Sequence, residues 1–139
     1  MQYKRKMGID YGEVRIGIAL SDLLCIISSP YEVYVRKDEQ QDLLYLSNLI
    51  KEQDVDLVVF GLPLNMDGTE GDRAVKTREF ASKLENMSNV KIVFYDERLT
   101  SVEAEEILIQ SGVRREKRRQ MLDKIAAQII LQDYLKSKN

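Results

Sequence analysis

Four acidic residues stand where the pattern of the chain predicts strand ends or a helix start. Asp10 ends the first predicted strand, the Asp96-Glu97 pair ends a later one, and Asp123 heads the apolar face of the last predicted helix. Because side chains alternate along a strand, we expect one acid of the pair to join Asp10. Converging carboxylates repel each other in a weakly polar site, and a divalent cation is the simplest remedy. Such a site hydrolyses phosphodiesters by activating water and steadying the leaving oxygen.

The absence of histidine limits the kinds of chemistry that this chain can support. The sequence has no histidine and one cysteine, Cys25, which excludes histidine general bases, the usual serine triad, histidine-ligated zinc and a thiolate cage. Any metal must therefore be held by oxygen. Oxygen ligands favour magnesium, manganese or calcium, and carboxylate-bound magnesium points to phosphate chemistry.

Two of the acids also have purely structural interpretations. Aspartate commonly caps its own turn through local backbone bonds, which would account for Asp10, and Arg15 across the turn could be its ion-pair partner. Asp123 could be a first-turn acid favoured by the helix dipole, or it could pair with Arg119 four residues earlier.

Length and composition are those of an ordinary globular protein. The 139 residues fit one domain with a sizeable core, and the chain is 44% hydrophobic and 32% charged. No apolar run approaches the length of a membrane span, so we expect no membrane association. The start of the chain lacks the apolar region of a signal peptide, which together with a single cysteine predicts a cytoplasmic protein.

The positive charges are concentrated although the net charge is only −2. Such a cluster is either a solvated helix start or a phosphate-binding surface with salt-sensitive, largely sequence-independent affinity for nucleic acid. The cluster, called the basic segment below, comprises Arg114, Arg115, Lys117, Arg118, Arg119 and Lys124.

Hydrophobic periodicity predicts an α/β fold whose elements bring the acids together. Three antiparallel strands are followed by a helix, two further strands separated by a helix, and two final helices. The expected architecture is a five-stranded mixed sheet with helices packed on both faces. The predicted strands are 6–10, 15–21, 26–36, 55–60 and 90–95, and the predicted helices are 39–52, 74–85, 100–111 and 121–135.

Four motifs in the same order, spanning nearly the whole chain, resemble those of the YqgF family, also called RuvX. That family is described as Holliday junction resolvases and as nucleases that mature the precursor of small-subunit ribosomal RNA. The resemblance implies a ribonuclease H-like fold, divalent-metal-dependent cleavage of nucleic acid and a cytoplasmic bacterial protein. The motifs are Gly8-Ile9-Asp10-Tyr11-Gly12, Gly61-Leu62-Pro63-Leu64-Asn65-Met66-Asp67-Gly68, Asp96-Glu97-Arg98-Leu99-Thr100-Ser101 and Asp123-Lys124-Ile125-Ala126-Ala127.

Carried over by position, the resemblance implies catalytic and metal-binding roles for Asp10, Glu97 and Asp123, with Mg²⁺ or Mn²⁺ as cofactor. It leaves Asp96 as the doubtful acid. The expected reaction is hydrolysis of a phosphodiester by a metal-activated water.

The resemblance also implies contacts with a nucleic-acid substrate, either an RNA precursor or branched DNA. Arg15, and Asn65 in the loop 61–71, are expected to touch the substrate backbone. Arg98 is also expected to contact the substrate and to orient Glu97. Arg114, Arg115, Arg118, Arg119 and Lys124 of the basic segment are expected to hold phosphates beside the metal site. The chain could act as a monomer or as a homodimer.

Two other function classes remain open at this stage. A nucleotide-binding protein of the sugar-kinase and actin type uses a similar first hairpin, but it clamps nucleotide between two domains, and this chain has room for one. A non-catalytic RNA-binding factor of ribosome assembly would keep the fold and cleave nothing. The sequence does not decide between RNA and DNA, or between endonuclease and exonuclease.

Overall fold

Five strands and three helices are defined in the computed structural model, which describes residues 4–97, 106, 109–112 and 114–138. The side chains of residues 115, 116 and 119–124 lie outside that description. Most of the predicted helix 100–111 also lies outside it. The elements are β1 (Arg5–Tyr11), β2 (Arg15–Ser21), β3 (Ser28–Val35), α1 (Glu39–Glu52), β4 (Val55–Leu62), α2 (Asp72–Ser88), β5 (Lys91–Asp96) and α3 (Arg115–Ser137).

The strands form one mixed sheet in the order β3-β2-β1-β4-β5. The first three strands are antiparallel neighbours, with Asp10 of β1 directly opposite Gly17 of β2. The β1–β4 and β4–β5 pairs are parallel. The predicted mixed sheet, with its antiparallel first half, is confirmed. Because β1, β4 and β5 run the same way, their carboxyl ends meet at one edge, where α/β proteins commonly bind ligands.

Alternating side chains give the sheet two apolar faces, and helices cover both, as predicted. Met7, Ile9 and Phe60 pack with buried residues of α1 and α2. Ala19 and Val59 pack with α3 on the other face.

Helix α3 approaches β1 closely because Gly8 lies beneath it. A Cβ atom at Gly8 would lie 2.7 Å from the carbonyl oxygen of Ala127 and 2.8 Å from Cβ of Leu131. Glycine at this position therefore sets the distance between the helix and the sheet.

The far half of α3 lies over the start of β1. Gln132 Oε1 accepts a hydrogen bond from the backbone N–H of Ser28 at 2.8 Å. Ser28 is opposite Ser21 in the sheet, and Ser21 Oγ accepts from the N–H of Lys6. Helix α3 therefore runs antiparallel to β1, with its first turns toward the carboxyl edge.

Asp38 caps the first turn of α1. Asp38 Oδ1 accepts a hydrogen bond from the backbone N–H of Gln41 at 2.8 Å, and the Gln41 side-chain amide donates to Asp38 Oδ2 at 2.6 Å. The helix then ends at Glu52, as expected.

The last helix begins six residues earlier than predicted, at Arg115 rather than at residue 121. The Arg114 carbonyl accepts hydrogen bonds from the N–H groups of Lys117 and Arg118 at 3.1 and 3.0 Å. Lysine and arginine are good helix formers, so the helix extends beyond the apolar face from which it was predicted. Much of the basic segment is therefore helical. Among the described residues, no helix combines the length and apolar character needed to cross a bilayer.

Candidate active site at the carboxyl edge of the sheet

Two acids meet at the carboxyl edge, on the face of the sheet that α3 covers. Asp10 is the next-to-last residue of β1, and Glu97 directly follows β5, where its N–H donates to the Leu62 carbonyl at 3.3 Å. Gly8 and Asp10 are two residues apart in β1, so they share the α3 face, as do Tyr95 and Glu97. The parallel register of the strands brings these two acids together.

Electrostatics make the two carboxyl groups one unit. The side chain of Glu97 is mostly buried and hydrogen-bonds to the carboxyl group of Asp10. Burial, followed by the charge and hydrogen bond of Asp10, raises the pKa of Glu97 to about 8, although the positive charge of Arg73 lowers it. Glu97 thus joins Asp10, while Asp96 is exposed and its charge further raises the pKa of Glu97.

Gly61, in β4 between the two acids, leaves the space that Glu97 occupies. A Cβ atom at this position would overlap Oε2 of Glu97 and lie 2.5 Å from Cδ1 of Ile130. Both atoms are at the ends of side chains, so they can move and the fold can persist. For Gly61→Ala we expect a loss of about 1–3 kcal/mol in the free energy of unfolding and about a hundredfold slower turnover, because the Glu97 carboxyl group is displaced. Urea denaturation and a cleavage assay measure the two effects.

Gly71→Ala is the matched control for that substitution. A Cβ atom at Gly71 would lie 3.2 Å from Oδ1 of Asn65, on the exposed loop before α2. Gly71→Ala should leave turnover within about threefold of the wild-type value. Equal turnover losses in the two variants would contradict the assignment of Gly61.

Asp123 has its backbone in α3, while its side chain lies outside the described residues. It stands one helical turn before Ala127, whose carbonyl oxygen packs over Gly8. One turn of helix, about 5.4 Å, corresponds to roughly two residues of strand, so the Asp123 backbone lies near the level of Asp10. Among the described residues no group of three or more acidic or thiol side chains could hold a metal ion.

Arg36 holds the turn between β1 and β2 through hydrogen bonds to its backbone. Gly12 N–H donates to the Arg15 carbonyl at 2.9 Å, while the Arg36 backbone N–H donates to the Val14 carbonyl at 2.9 Å. The Arg36 guanidinium donates to the Gly12 carbonyl at 3.2 Å and lies 4.6 Å from the centre of the Tyr11 ring. These bonds fix the turn that follows Asp10.

The substrate-contacting residues expected from the sequence are found in different surroundings. Arg15 is exposed, and in the described part of the chain no ion pair joins it to Asp10. Asn65 is exposed, and its side-chain amide donates to Thr69 Oγ1 at 2.9 Å within the loop. Arg114 is exposed and Arg118 is partly buried. Arg98 lies outside the described residues, as do the side chains of Arg115, Arg119 and Lys124.

Arg73 is the site residue that sequence reasoning missed. It is the second residue of α2 and is exposed, so its helical pattern gives no reason to single it out. The available signal was topological. A helix that follows a parallel strand begins at the carboxyl edge, so a cation in its first turn lies near any acids placed there.

A family model described as RuvX, Holliday junction resolvase, matches residues 4–137 of this chain. A protein of Halothermothrix orenii, named "Putative pre-16S rRNA nuclease", is 45% identical over 135 residues, which cover 97% of this chain and 96% of that protein. A protein of Endomicrobium trichonymphae with the same name is 45% identical over 132 residues, 94% of each chain.

Solved structures of two junction resolvases share the fold at low sequence identity. Thermus thermophilus RuvC in complex with a Holliday junction substrate has a TM-score of 0.60 and 12% identity, over 98% of this chain and 96% of that one. The Fowlpox virus resolvase with Holliday junction DNA has a TM-score of 0.58 and 14% identity, over 96% and 98% of the two chains. These likenesses concern the fold alone, and the predicted ribonuclease H-like architecture is confirmed.

Proposed function

This chain belongs to the RuvX family, and from that membership we propose that it is a divalent-metal-dependent nuclease that hydrolyses phosphodiester bonds in the precursor of 16S ribosomal RNA. The observation that carries the proposal is the hydrogen-bonded Asp10–Glu97 pair at the carboxyl edge of the sheet. Relatives that match over nearly their full length and carry the name of a pre-16S rRNA nuclease support the substrate. A cytoplasmic location is part of the same proposal.

The two carboxyl groups suit a hard divalent cation. Burial and mutual repulsion keep a proton on the pair near neutral pH, and a cation that displaces this proton would remove the repulsion. Oxygen donors are the ligands that Mg²⁺ and Mn²⁺ prefer. Asp10, Glu97 and Asp123 would hold the ion, which when bound lowers the pKa of water and offsets the charge that develops at the phosphate.

The chain itself supplies position and charge. The β1–β2 turn and the end of β5 hold Asp10 and Glu97 on rigid strands, so that the site needs little rearrangement before reaction. The first turns of α3, whose backbone carries the basic segment, lie toward the same edge, and the cations of that segment would hold the substrate backbone. Cations at a helix N-terminus are disfavoured by the helix dipole, and a bound phosphate would relieve this.

A second candidate function is cleavage of a four-way DNA junction, which the description of the matching family model favours. A junction has paired scissile sites, so a resolvase is expected to act as a dimer, whereas a trimming nuclease can act as a monomer.

Cleavage assays with three labelled substrates test both candidates: a 16S precursor fragment, an unstructured RNA and a four-way DNA junction, each with Mg²⁺ or Mn²⁺. We expect the wild-type protein to cut the precursor fragment fastest and to lose activity in chelator. Asp10→Asn and Asp123→Asn should each reduce turnover by about a thousandfold, equivalent to about 4 kcal/mol of transition-state stabilisation.

Asp133→Asn is the control, since Asp133 also lies on α3 but near its other end. It should cleave as the wild type does. Preferential cleavage of the junction would replace the ribosomal assignment with the resolvase one. Unchanged cleavage in Asp10→Asn would mean that the carboxyl pair is structural.

A further inference from the structure

A cleft opens beside the carboxyl pair, between the β1–β2 turn and the first turns of α2. Its wider part has a volume of about 360 Å³ and is lined by Gly12, Glu13, Val14, Arg15 and Arg73. A separate small pocket of about 10 Å³ adjoins it, shares Gly12, Glu13 and Arg73 with its lining, and is also lined by Lys76 and Thr77. The cleft lies on the α2 side of the sheet and the carboxyl pair on the α3 side, but both are at the carboxyl edge, because Gly12 follows the end of β1 and Arg73 is in the first turn of α2.

The cations of this cleft are available to bind an external anion. Arg15, Arg73 and Lys76 are exposed, and none of them forms an ion pair with another described residue. Three cations face one carboxylate, Glu13, so the lining carries net positive charge.

Other basic residues of the same surface are already paired. Arg78 donates two hydrogen bonds to Glu70 at 2.7 and 3.0 Å, and Lys83 donates to Glu39 at 2.6 Å. Both lie on α2, beyond the cleft. The cations on α2 without an ion-pair partner among the described residues therefore include the two nearest its start, Arg73 and Lys76.

Arg73 connects the cleft to the candidate active site. The positive charge of the Arg73 guanidinium lowers the pKa of Glu97, so the cleft and the carboxyl pair interact electrostatically through this residue. A guanidinium in this position can bind a phosphate with two parallel hydrogen bonds, a geometry that Lys76 would support as a point charge.

We propose that this cleft binds the phosphate backbone of a single nucleic-acid strand next to the cleaved bond, with Arg15, Arg73 and Lys76 as its contacts. The proposal rests on the nuclease function proposed above. The volume is near the lower end of the roughly 300–1,000 Å³ typical of small-ligand sites, which suits about one nucleotide and not a duplex. The substrate would therefore enter as an unpaired strand or frayed end, and RNA and DNA share the phosphate chemistry that the cleft recognises.

Binding without cleavage tests the proposal. The Asp10→Asn protein, alone and with Arg73→Gln or Lys76→Gln added, is titrated against fluorescein-labelled single-stranded RNA, single-stranded DNA and duplex DNA, and anisotropy is followed at several salt concentrations. We expect Kd for single strands to rise about tenfold with Arg73→Gln and about three- to tenfold with Lys76→Gln. Each substitution should also reduce the slope of log K against log salt by about one.

Lys83→Gln in the same background is the matched control, because it removes a charge from the same helix outside the cleft. It should change neither the Kd nor the salt slope. Equal effects of Lys83→Gln and Arg73→Gln, or no effect of Arg73→Gln, would overturn the cleft assignment. Loss of duplex binding as large as loss of single-strand binding would overturn the single-strand assignment.

The kinetic arm separates this proposal from the nuclease proposal. In the otherwise wild-type protein, Arg73→Gln should raise KM about tenfold and change kcat by less than threefold. The reason is that a backbone contact that is equally strong in the substrate complex and in the transition state contributes to KM and not to kcat. A wild-type protein that binds strands through Arg73 but never cleaves them would overturn the nuclease function alone. A protein that cleaves while Arg73→Gln binds and turns over normally would overturn the cleft alone.

Discussion

Replacing Glu97 by glutamine is expected to abolish cleavage and, at the same time, to stabilise the metal-free protein above neutral pH. Turnover should fall by about a thousandfold or more, because the neutral amide cannot supply the charge that a divalent cation requires. In chelator at pH 9 the free energy of unfolding should rise by about 1–3 kcal/mol, measured by urea denaturation. Glutamine keeps the shape of the side chain and can donate a hydrogen bond to Asp10.

The expected rise in the free energy of unfolding follows from the number of protons that the folded and unfolded states bind. The pKa of Glu97 is raised from 4.5 in the unfolded chain to about 8 in the folded protein, by burial and by Asp10. Between these values the folded state binds more protons, so the wild-type protein loses stability as pH rises. The penalty is absent below about pH 4.5 and fully present above about pH 8. The stability of Glu97→Gln should therefore exceed that of the wild type increasingly across this window.

Two variants serve as controls for this pair of effects. Glu85→Gln removes an exposed carboxylate from α2 and should leave the pH profile of stability unchanged. Asp96→Asn changes the neighbouring acid and should retain turnover within about tenfold, since Asp96 is exposed and alternates with Glu97 along the chain. If Glu97→Gln were no more stable than the wild type at pH 9, the acids would not repel each other as described.

Arg36→Met is expected to cause a large loss of stability, about 3 kcal/mol in the free energy of unfolding. Arg36 Nε donates to Asp42 Oδ2 at 2.9 Å, and the Asp42 side chain is 0% exposed. Methionine would fill the volume over the Tyr11 and Phe80 rings but leave the carboxylate buried without its counter-ion. Urea denaturation at pH 7 measures the loss.

The pH dependence of this effect identifies its cause. Burial alone would raise the pKa of Asp42, but hydrogen bonds from the Lys37 N–H, Arg36 and the Tyr34 hydroxyl lower it below its ordinary value of 3.8. The stabilisation from the ion pair is therefore present above about pH 3.8 and is lost as the pH falls further. The gap between the two free energies of unfolding should narrow as the pH falls towards 3.8, because the stranded Asp42 of the variant takes up a proton at a higher pH than the paired one, and it should close below about pH 3.8.

The double variant Arg36→Met with Asp42→Leu provides the control, since it removes the stranded charge as well. It should recover part of the lost stability. A double variant less stable than Arg36→Met would mean that the hydrogen bonds that Asp42 accepts from Lys37 and Tyr34 outweigh the cost of the stranded charge.

Local sequence rules were sufficient for most elements of this fold. Strand alternation, a continuous apolar run for β4 and the Asp38–Gln41 cap each depend on neighbours in the chain, and these elements are found as predicted. The predicted start of α3 was wrong because the first turns of this helix lack an apolar face, and hydrophobic periodicity detects only helices that have one.

The amino-acid sequence alone shows that any metal must be held by oxygen ligands and that acids stand at Asp10, Asp96, Glu97 and Asp123. It also carried the family resemblance in its motifs. Only the folded chain shows that Glu97 is the acid beside Asp10, that Gly61 makes room for it and that the charge of Arg73 acts on Glu97. These relations join residues on different elements, and they depend on strand order, register and the side from which a helix packs. A local pattern records only which face of its own element is buried, so it contains no information about the partner across the sheet.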